Sequence, residues 1–541
     1  MKNIKKILLI VFFSMFINAV YSQPYTIWQK LYGGPSQDSS IGITANSNGQ
    51  VFVTGYSVGA LSYDIVTMQY NSETGDTVWV KRYAGNLEDK PTSIAADNNF
   101  VYVTGWSFSP APANRDIITI KYNAATGDTV YVKKYNGAAN GGDYGWSIAV
   151  DASGNAYVAG RTDVGGQQKM IVIKYDPSGN QVYTSIYSGP LSGGFDEAHC
   201  IKLDASGNAY VTGVGGVSTT NTSWDILTLK LNSSGIIQWG KKYNGNLNSE
   251  DIGVSLVIED GDANVYVGGS SFRVGGQQDY ITIKYGAAAG DSLAAAIYNA
   301  SSSIDYITAM TKDRAGSIYV TGTSFLNGRF NYATIKYNSS LAQQWLTRTQ
   351  NDSNSYAVAI AFDTTGYIYV TGSSKSAATS LDYYTERYNA SNGLRDWFVR
   401  DNGSSSSDDR VSGMVVTGPD NIYITGSAIF GNTNFYTIRY SNTNSVRPVS
   451  GEVPKSYSLE QNYPNPFNPS TKFNFDLPQN THVNITVFDM LGREVEMLVD
   501  NDMKAGKYEV TWNASNAGSG VYFYKLTTSS YTETKKMILQ K

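Results

Sequence analysis

The chain of 541 residues is 41% hydrophobic and 16% charged, with 53 Gly and 41 Tyr, a composition that excludes both a disordered chain and a collagen-like fibre. One cysteine, Cys200, rules out an intrachain disulfide and thiolate metal clusters, and two histidines, His199 and His482, leave no His-rich metal site, so the sequence calls for no cofactor and no bound metal. The formal charge of −4 becomes −7 once the three lysines of residues 1–22 are removed, and no basic run remains to neutralise a phosphate backbone, which argues against nucleic acid as a partner.

Residues 1–22 carry Lys2, Lys5 and Lys6, an apolar run from Ile7 to Val20 interrupted by Ser14 and Asn18, and then Tyr21-Ser22. This is the pattern of a secretory signal peptide cut between Ser22 and Gln23. Its apolar run is shorter than the roughly 20 residues that cross a bilayer. No later segment approaches that length, so the mature chain is expected to have no transmembrane span.

From about residue 25 to 444 the chain repeats. A phrase of the form aliphatic-aromatic-Val-Thr-Gly recurs in eight copies, from Val51–Gly55 through Val101–Gly105 to Ile422–Gly426, with the glycines 50 to 56 residues apart. Each copy is followed by a second phrase, which in five of the eight places Thr and a basic residue before Tyr, as in Asp116–Tyr122 and Asp279–Tyr285. Both phrases alternate as strands do. A strand such as Trp79–Tyr83 and one such as Trp146–Val150 complete a unit of four, with Gly and Asn at the turns between them, for example Asp151–Asn155.

Repeated four-strand units of this length predict a β-propeller, because each sheet can bury its faces only against its neighbours. The eighth unit ends at Tyr440 without its Trp strand, while an unpaired Trp28-Gln29-Lys30-Leu31-Tyr32 precedes the first. The expected fold is therefore all-β: an eight-bladed propeller over residues 23–444, closed by the N-terminal strand. The Asp204–Gly213 stretch, Asp-Ala-Ser-Gly-Asn-Ala-Tyr-Val-Thr-Gly, resembles the bacterial SBBP propeller repeats. That resemblance implies the fold and no activity.

Ser441 to Pro448 is polar, and residues 445–456 read as a linker. Beyond it, alternating strands such as Phe473/Phe475/Leu477 and Val483/Ile485/Val487, with turns at Leu491-Gly492, Ala505-Gly506 and Gly518-Ser519-Gly520, predict an immunoglobulin-like sandwich over residues 457–541. The ordered motifs Asn462-Tyr463-Pro464-Asn465-Pro466-Phe467, Asp489-Met490-Leu491-Gly492-Arg493, Gly520–Tyr524 and Lys535-Lys536-Met537 resemble the type A C-terminal sorting domain of the type IX secretion system. The resemblance implies a translocon partner for residues 457–541, passage through periplasm and outer membrane, and a mature cargo at the cell surface or released.

Chemistry is sparse in the sequence. The two histidines lie in different expected domains, and no Gly-x-Ser-x-Gly elbow precedes a helix, so no Ser-His-Asp centre is expected. His199 and Cys200 align with Trp146 and Ser147 of the preceding unit and read as variable residues of a first strand. The Asp-x-x-Gly-Asn segments read as turns, since they lack the distal glutamate of a calcium loop. Seven of eight units carry an acid five residues before a core position of the first strand, namely Asp38, Asp89, Asp143, Asp196, Asp251, Asp305 and Asp409, with Ser355 in the remaining unit. These acids are the candidates for a ligand or cation, set against the simpler reading that they cap a turn. The function expected is a non-enzymatic binding or structural platform for an extracellular glycan or protein. The alternative is a hydrolase, most plausibly glycan-degrading, using carboxylates on the propeller face.

Overall fold

In the computed structural model, residues 24–540 are described apart from 35, 61, 86, 111–112, 188–194, 217–222, 246–248, 274–276, 301–303, 350–352, 377–379, 404–406, 443–446, 451–452 and 515–516. The expected signal peptide and its Ser22–Gln23 junction lie outside the described residues, as does Asn444. Among the described residues there is no helix, and all 40 strands fall into ten four-stranded antiparallel sheets.

Eight sheets share one plan. The first is built from Asp38–Ala45, Val51–Val58, Tyr63–Tyr70 and Thr77–Tyr83, hydrogen-bonded in chain order. The first strands of the next six are Asp89–Ala96, Tyr144–Val150, Asp196–Leu203, Asp251–Ile258, Asp305–Lys312 and Ser355–Phe362. In the eighth sheet Arg410–Gly418, Asn421–Phe430 and Asn432–Ser441 are joined by Tyr25–Tyr32, which pairs antiparallel with Asn432–Ser441 from Tyr25↔Ser441 to Tyr32↔Phe435.

The first strands of successive sheets touch one another in order, and that of the eighth touches that of the first. Apolar clusters lie between neighbouring sheets. One gathers Trp28, Tyr423 and Phe435 of the eighth with Val51, Val53, Val66 and Met68 of the first. Because each sheet is covered on both faces, the second strands are buried almost throughout, as in Val51–Gly55. The sequence alternation there marks two packed faces, and no residue of the phrase faces water.

The repeated phrases encode the joints. Thr54, Thr321, Thr371 and Thr425 face Thr67, Thr334, Thr385 and Thr437 across the second and third strands at 2.8–3.1 Å, so the two Thr positions bond each other in the buried sheet. The basic residue near the end of the third strand reaches a turn carbonyl of the following sheet: Lys121 donates to Pro177 O at 2.8 Å, Lys230 to Ala287 O at 2.8 Å, and Arg439 to Ser72 O at 2.7 Å. The fourth-strand Trp does the same, with Trp79 donating to Ala124 O at 3.0 Å and Trp28 to Ser72 O at 2.9 Å. Arg439 and Trp28 thus tie the eighth sheet to the first.

Each first strand carries a β-bulge at the same place, between Ser40 and Gly42, Pro91 and Ser93, Gly145 and Ser147, Ala198 and Cys200, and so on around the set. The bulge presses a backbone carbonyl onto the Gly of the phrase. A Cβ on Gly55, Gly105, Gly160 or Gly213 would sit 1.8–2.2 Å from the carbonyl of Ser39, Lys90, Tyr144 or Glu197, which is why only glycine occupies this position.

The last two sheets run Arg447–Ser450, Gly506–Asn513, Ser470–Leu477, Ser458–Leu459 and Glu494–Met503, Thr481–Asp489, Gly520–Thr528, Thr532–Leu539. They share one core that includes Phe473, Phe475, Val510, Trp512, Val483, Ile485, Tyr524 and Leu526. Within the stretch read as a linker, Arg447–Ser450 is a strand paired with Gly506–Asn513, so a polar, Pro-containing sequence lies here on a sheet edge, where Pro is tolerated.

Candidate functional site

The seven candidate acids stand at the entry of their first strands with exposures of 0–1%. Asp38, Asp89, Asp143 and Asp251 each accept a backbone N–H from the preceding turn, from Gly34, Gly85, Gly137 and Gly245 at 2.6–2.8 Å. Asp305 accepts from Ala300 N at 2.9 Å and from the Ser324 hydroxyl. Asp196 and Asp409 accept from Gly216 N and Ile429 N at 3.2 Å. Each carboxylate therefore fastens the chain entering its own sheet and is not presented to solvent. Ser355 in the remaining unit bonds Ser374 Oγ at 2.8 Å. Among the described residues no three His, Cys, Asp or Glu side chains come together to hold a metal ion.

These acids face others across the joints. Asp89 is pushed above the usual carboxylate range by burial and further raised by Asp64 of the neighbouring sheet, and Asp143 likewise by burial and Asp116. Burial drives Asp225 up to about 6, with Asp251 adding to it and Lys242 opposing it. Burial drives Asp409 up to about 7, with Asp382, Asp401 and Asp408 adding their charge. At one joint the sequence replaces an acid by a base: Lys169 lies 3.6 Å from Asp196, both side chains being at most 4% exposed.

The bulges expose a different set of residues. A bulge turns one extra residue out of the ladder. In chain order the bulge residues are Ile41, Thr92, Trp146, His199, Val254, Thr308, Val358 and Ser412, all half-buried. Six are small or aliphatic; Trp146 and His199, in neighbouring sheets, are not. With Glu197 they line an open cleft of about 270 Å³. His199 Nδ1 lies 2.8 Å from Gly253 O and Nε2 lies 3.1 Å from Glu197 Oε1. The other Glu197 oxygen is 2.7 Å from Arg161 Nη1. Burial pushes the Glu197 carboxyl up, but the His199 hydrogen bond and the Arg161 charge outweigh it, so Glu197 lies below the ordinary range and is ionised at neutral pH. The Trp146 indole Nε1 is buried beside Glu197 without hydrogen-bond geometry to it.

Aromatic rings and cations extend the cleft sideways. Tyr144 stacks on Trp146 with centroids 5.8 Å apart and planes 4° apart. The Arg161 guanidinium lies 4.3 Å from the Tyr144 centroid and that of Arg115 lies 4.6 Å from Trp106. Lys90 sits over Tyr63 and Tyr56 at 4.5 and 4.9 Å. In the sequence alone His199 reads as a variable strand residue. The signal that could have found the cleft was the alignment of the repeats with one another, where Trp146 and His199 depart from a small-residue position.

The comparisons agree with the fold. Residues 461–540 match the family described as "Secretion system C-terminal sorting domain", and residues 133–166 match the family described as "Beta-propeller repeat". The chain therefore carries propeller repeats and a type IX sorting domain, which exports it through the outer membrane to the cell surface or extracellular space and implies interaction with the type IX system. No helix among the described residues is long and apolar enough to cross a membrane. No characterised protein sequence matches the chain. Similar solved structures include Sqt1 from Chaetomium thermophilum, at 10% identity and TM-score 0.48 over 77% of this chain and 99% of that one. They also include the β-propeller domain of the trilobed protease from Pyrococcus furiosus, at 7% identity and TM-score 0.40 over 67% and 98%. A third is the polysaccharide lyase Uly1, at 13% identity and TM-score 0.38 over 68% and 92%.

Proposed function

We propose that the mature protein, beginning at Gln23, is an exported binding platform: a closed eight-bladed propeller over residues 23–444 that holds an extracellular ligand without turning it over, followed by an immunoglobulin-like sorting sandwich over residues 457–541. Closure is supported by the Tyr25–Tyr32 pairing and by the Trp28 and Arg439 bonds to Ser72. The sandwich is supported by two four-stranded sheets sharing one core. The binding reading is carried by the Trp146–Glu197–His199 cleft, the place where neighbouring repeats give up their small bulge residues for groups that can contact a ligand. Glu197 is committed to Arg161 and His199, which favours binding over proton transfer. Array screening of the mature chain against glycans and extracellular proteins is expected to yield ligands whose retention falls at least tenfold in Trp146→Ala. Catalytic turnover of any such ligand, abolished by Glu197→Gln, would instead make the protein a hydrolase.

A further inference from the structure

Eight copies of one fold position provide an internal control for what the fold itself needs. The second-strand residue opposite the position that follows the entry acid, or Ser355 in its place, is Tyr56, Trp106, Arg161 and Val214 in sheets one to four, and Ser270, Thr323, Ser373 and Ser427 in sheets five to eight. Four sheets close with a small hydroxyl there, so the ring does not require Tyr, Trp or Arg. The bulge position tells the same story, with Trp146 and His199 set against Val254, Thr308, Val358 and Ser412. The large residues are confined to one side of the assembly.

Their chemistry is specific. Tyr144 and Trp146 form a parallel pair, and Phe195 stacks on Trp224 further along at 5.5 Å. Between the rings stand Lys90, Arg115 and Arg161. Two carboxylates answer these three cations: Glu88 lies 2.6 Å from Lys90 and 3.7 Å from Arg115, and Glu197 lies 2.7 Å from Arg161. Among the described residues this leaves one positive charge over, on a chain that is negative overall. Arg115 is the cation with capacity to spare. Its side chain is 39% exposed, Nη1 donates to Tyr144 Oη at 3.1 Å, and its contact with Glu88 is loose. A guanidinium positioned 4.6 Å from the Trp106 centroid is pre-oriented and retains donors for a carboxylate.

Aromatic faces receive the apolar C–H face of a pyranose ring, and a pre-oriented guanidinium receives a carboxylate. We infer that Lys90, Trp106, Arg115, Tyr144, Trp146 and Arg161 form a binding strip for an acidic oligosaccharide, one whose sugar rings carry carboxylates as uronates do. This inference rests on the binding-platform reading and names its ligand. The sugar rings stack on Tyr144 and Trp146, their carboxylates engage Arg115 and Lys90, and the Glu197 carboxylate, held by His199, accepts from hydroxyls at the cleft.

Titration calorimetry of the mature full-length chain with short oligogalacturonates and oligomannuronates, beside neutral galactan and mannan oligomers, tests it. Binding of an acidic oligomer should weaken with salt and fall at least tenfold in Trp146→Ala and in Arg115→Gln. Val358→Ala, at the bulge of the seventh sheet, should leave it unchanged. Thermal melts of each variant separate lost binding from lost folding, and the salt dependence of the unmodified chain needs no variant. Neutral oligomers bound as tightly as acidic ones, with Arg115→Gln indifferent, would overturn the acidic class while the platform reading stands. Failure of either acidic oligomer to bind at millimolar concentration, with Trp146→Ala weakening capture of a polypeptide instead, would overturn the saccharide class alone. If Trp146→Ala alters no interaction at all, the platform reading falls as well.

Discussion

Asp409 is a carboxyl that its surroundings prefer to keep protonated, since it is buried and Asp382, Asp401 and Asp408 crowd it. Arg400 answers Asp382 at 3.0 Å, and the Tyr436 hydroxyl donates to Asp401 at 2.8 Å. The folded-state value of about 7 lies above that of the unfolded chain. Between about pH 4 and pH 7 the native protein therefore holds a proton that the unfolded chain has released. Stability consequently falls as pH rises through that window, by an amount on the order of a few kcal/mol, and levels off above it. Asp409→Asn keeps an acceptor for the Ile429 N–H and removes the charge. It should raise stability by about 1–3 kcal/mol at about pH 8 and change little at about pH 4.5, as read by urea unfolding at the two pH values. The repeat glycines make a second prediction at this scale. Gly105→Ala puts a Cβ 2.0 Å from Lys90 O and should cost about 3 kcal/mol. Gly49→Ala, with φ of 77° and open space around it, should cost about 1 kcal/mol. Chemical denaturation of the two variants compares them directly. The seven acids were legible in the sequence as a periodic feature, but their burial and their partners were not, because the groups that face them come from another repeat, as Asp64 does for Asp89 and Asp116 for Asp143.

The strand Tyr25–Tyr32 belongs in space to the other end of the repeats. Trp28 is 6% exposed, packs against Tyr70 and Tyr423, and donates to Ser72 O. Trp28→Ala should cost about 3–5 kcal/mol through the cavity and the lost bond. Deletion of residues 23–32 should leave Asn432–Ser441 as an open edge and cause aggregation measurable by light scattering. An unchanged unfolding midpoint would mean that the strand contributes nothing to the assembly. The four-strand plan was readable because Gly and Asn mark its turns and because the orphan Trp strand matched the vacancy in the eighth unit. The bulge was not readable: it adds one residue to a strand without altering its hydrophobic pattern, and only the Gly facing it hints at a carbonyl pressed close. That omission hid the cleft, since a bulge decides which way Trp146 and His199 point. The Arg447–Ser450 strand was hidden for a related reason, as an edge strand can be polar and still pair on one side.

At the scale of the molecule, the repeats and the terminal sheets have separate cores and separate tasks. Export depends on the terminal one. Truncation after Asn444 should leave the repeats folded and retained in the periplasm, and cell fractionation with an intact outer membrane measures this directly. Both domains were identifiable from ordered motifs, whereas the Trp146–Glu197–His199 cleft was not, because spacing along a chain does not reveal which rings and charges meet across sheets. The pairing of the first strand with the last repeat also sets a clock. Gln29 lies 3.0 Å from the Tyr436 hydroxyl across 407 positions, so a chain threaded N-terminus first through the inner membrane carries Tyr25–Tyr32 without its partner until nearly all the repeats have followed. Completion of the eighth sheet is then a late event of high contact order, slow compared with the formation of the other sheets. The eighth sheet is completed only as the export domain itself emerges, so the order of synthesis ties completion of the repeats to the arrival of the export signal.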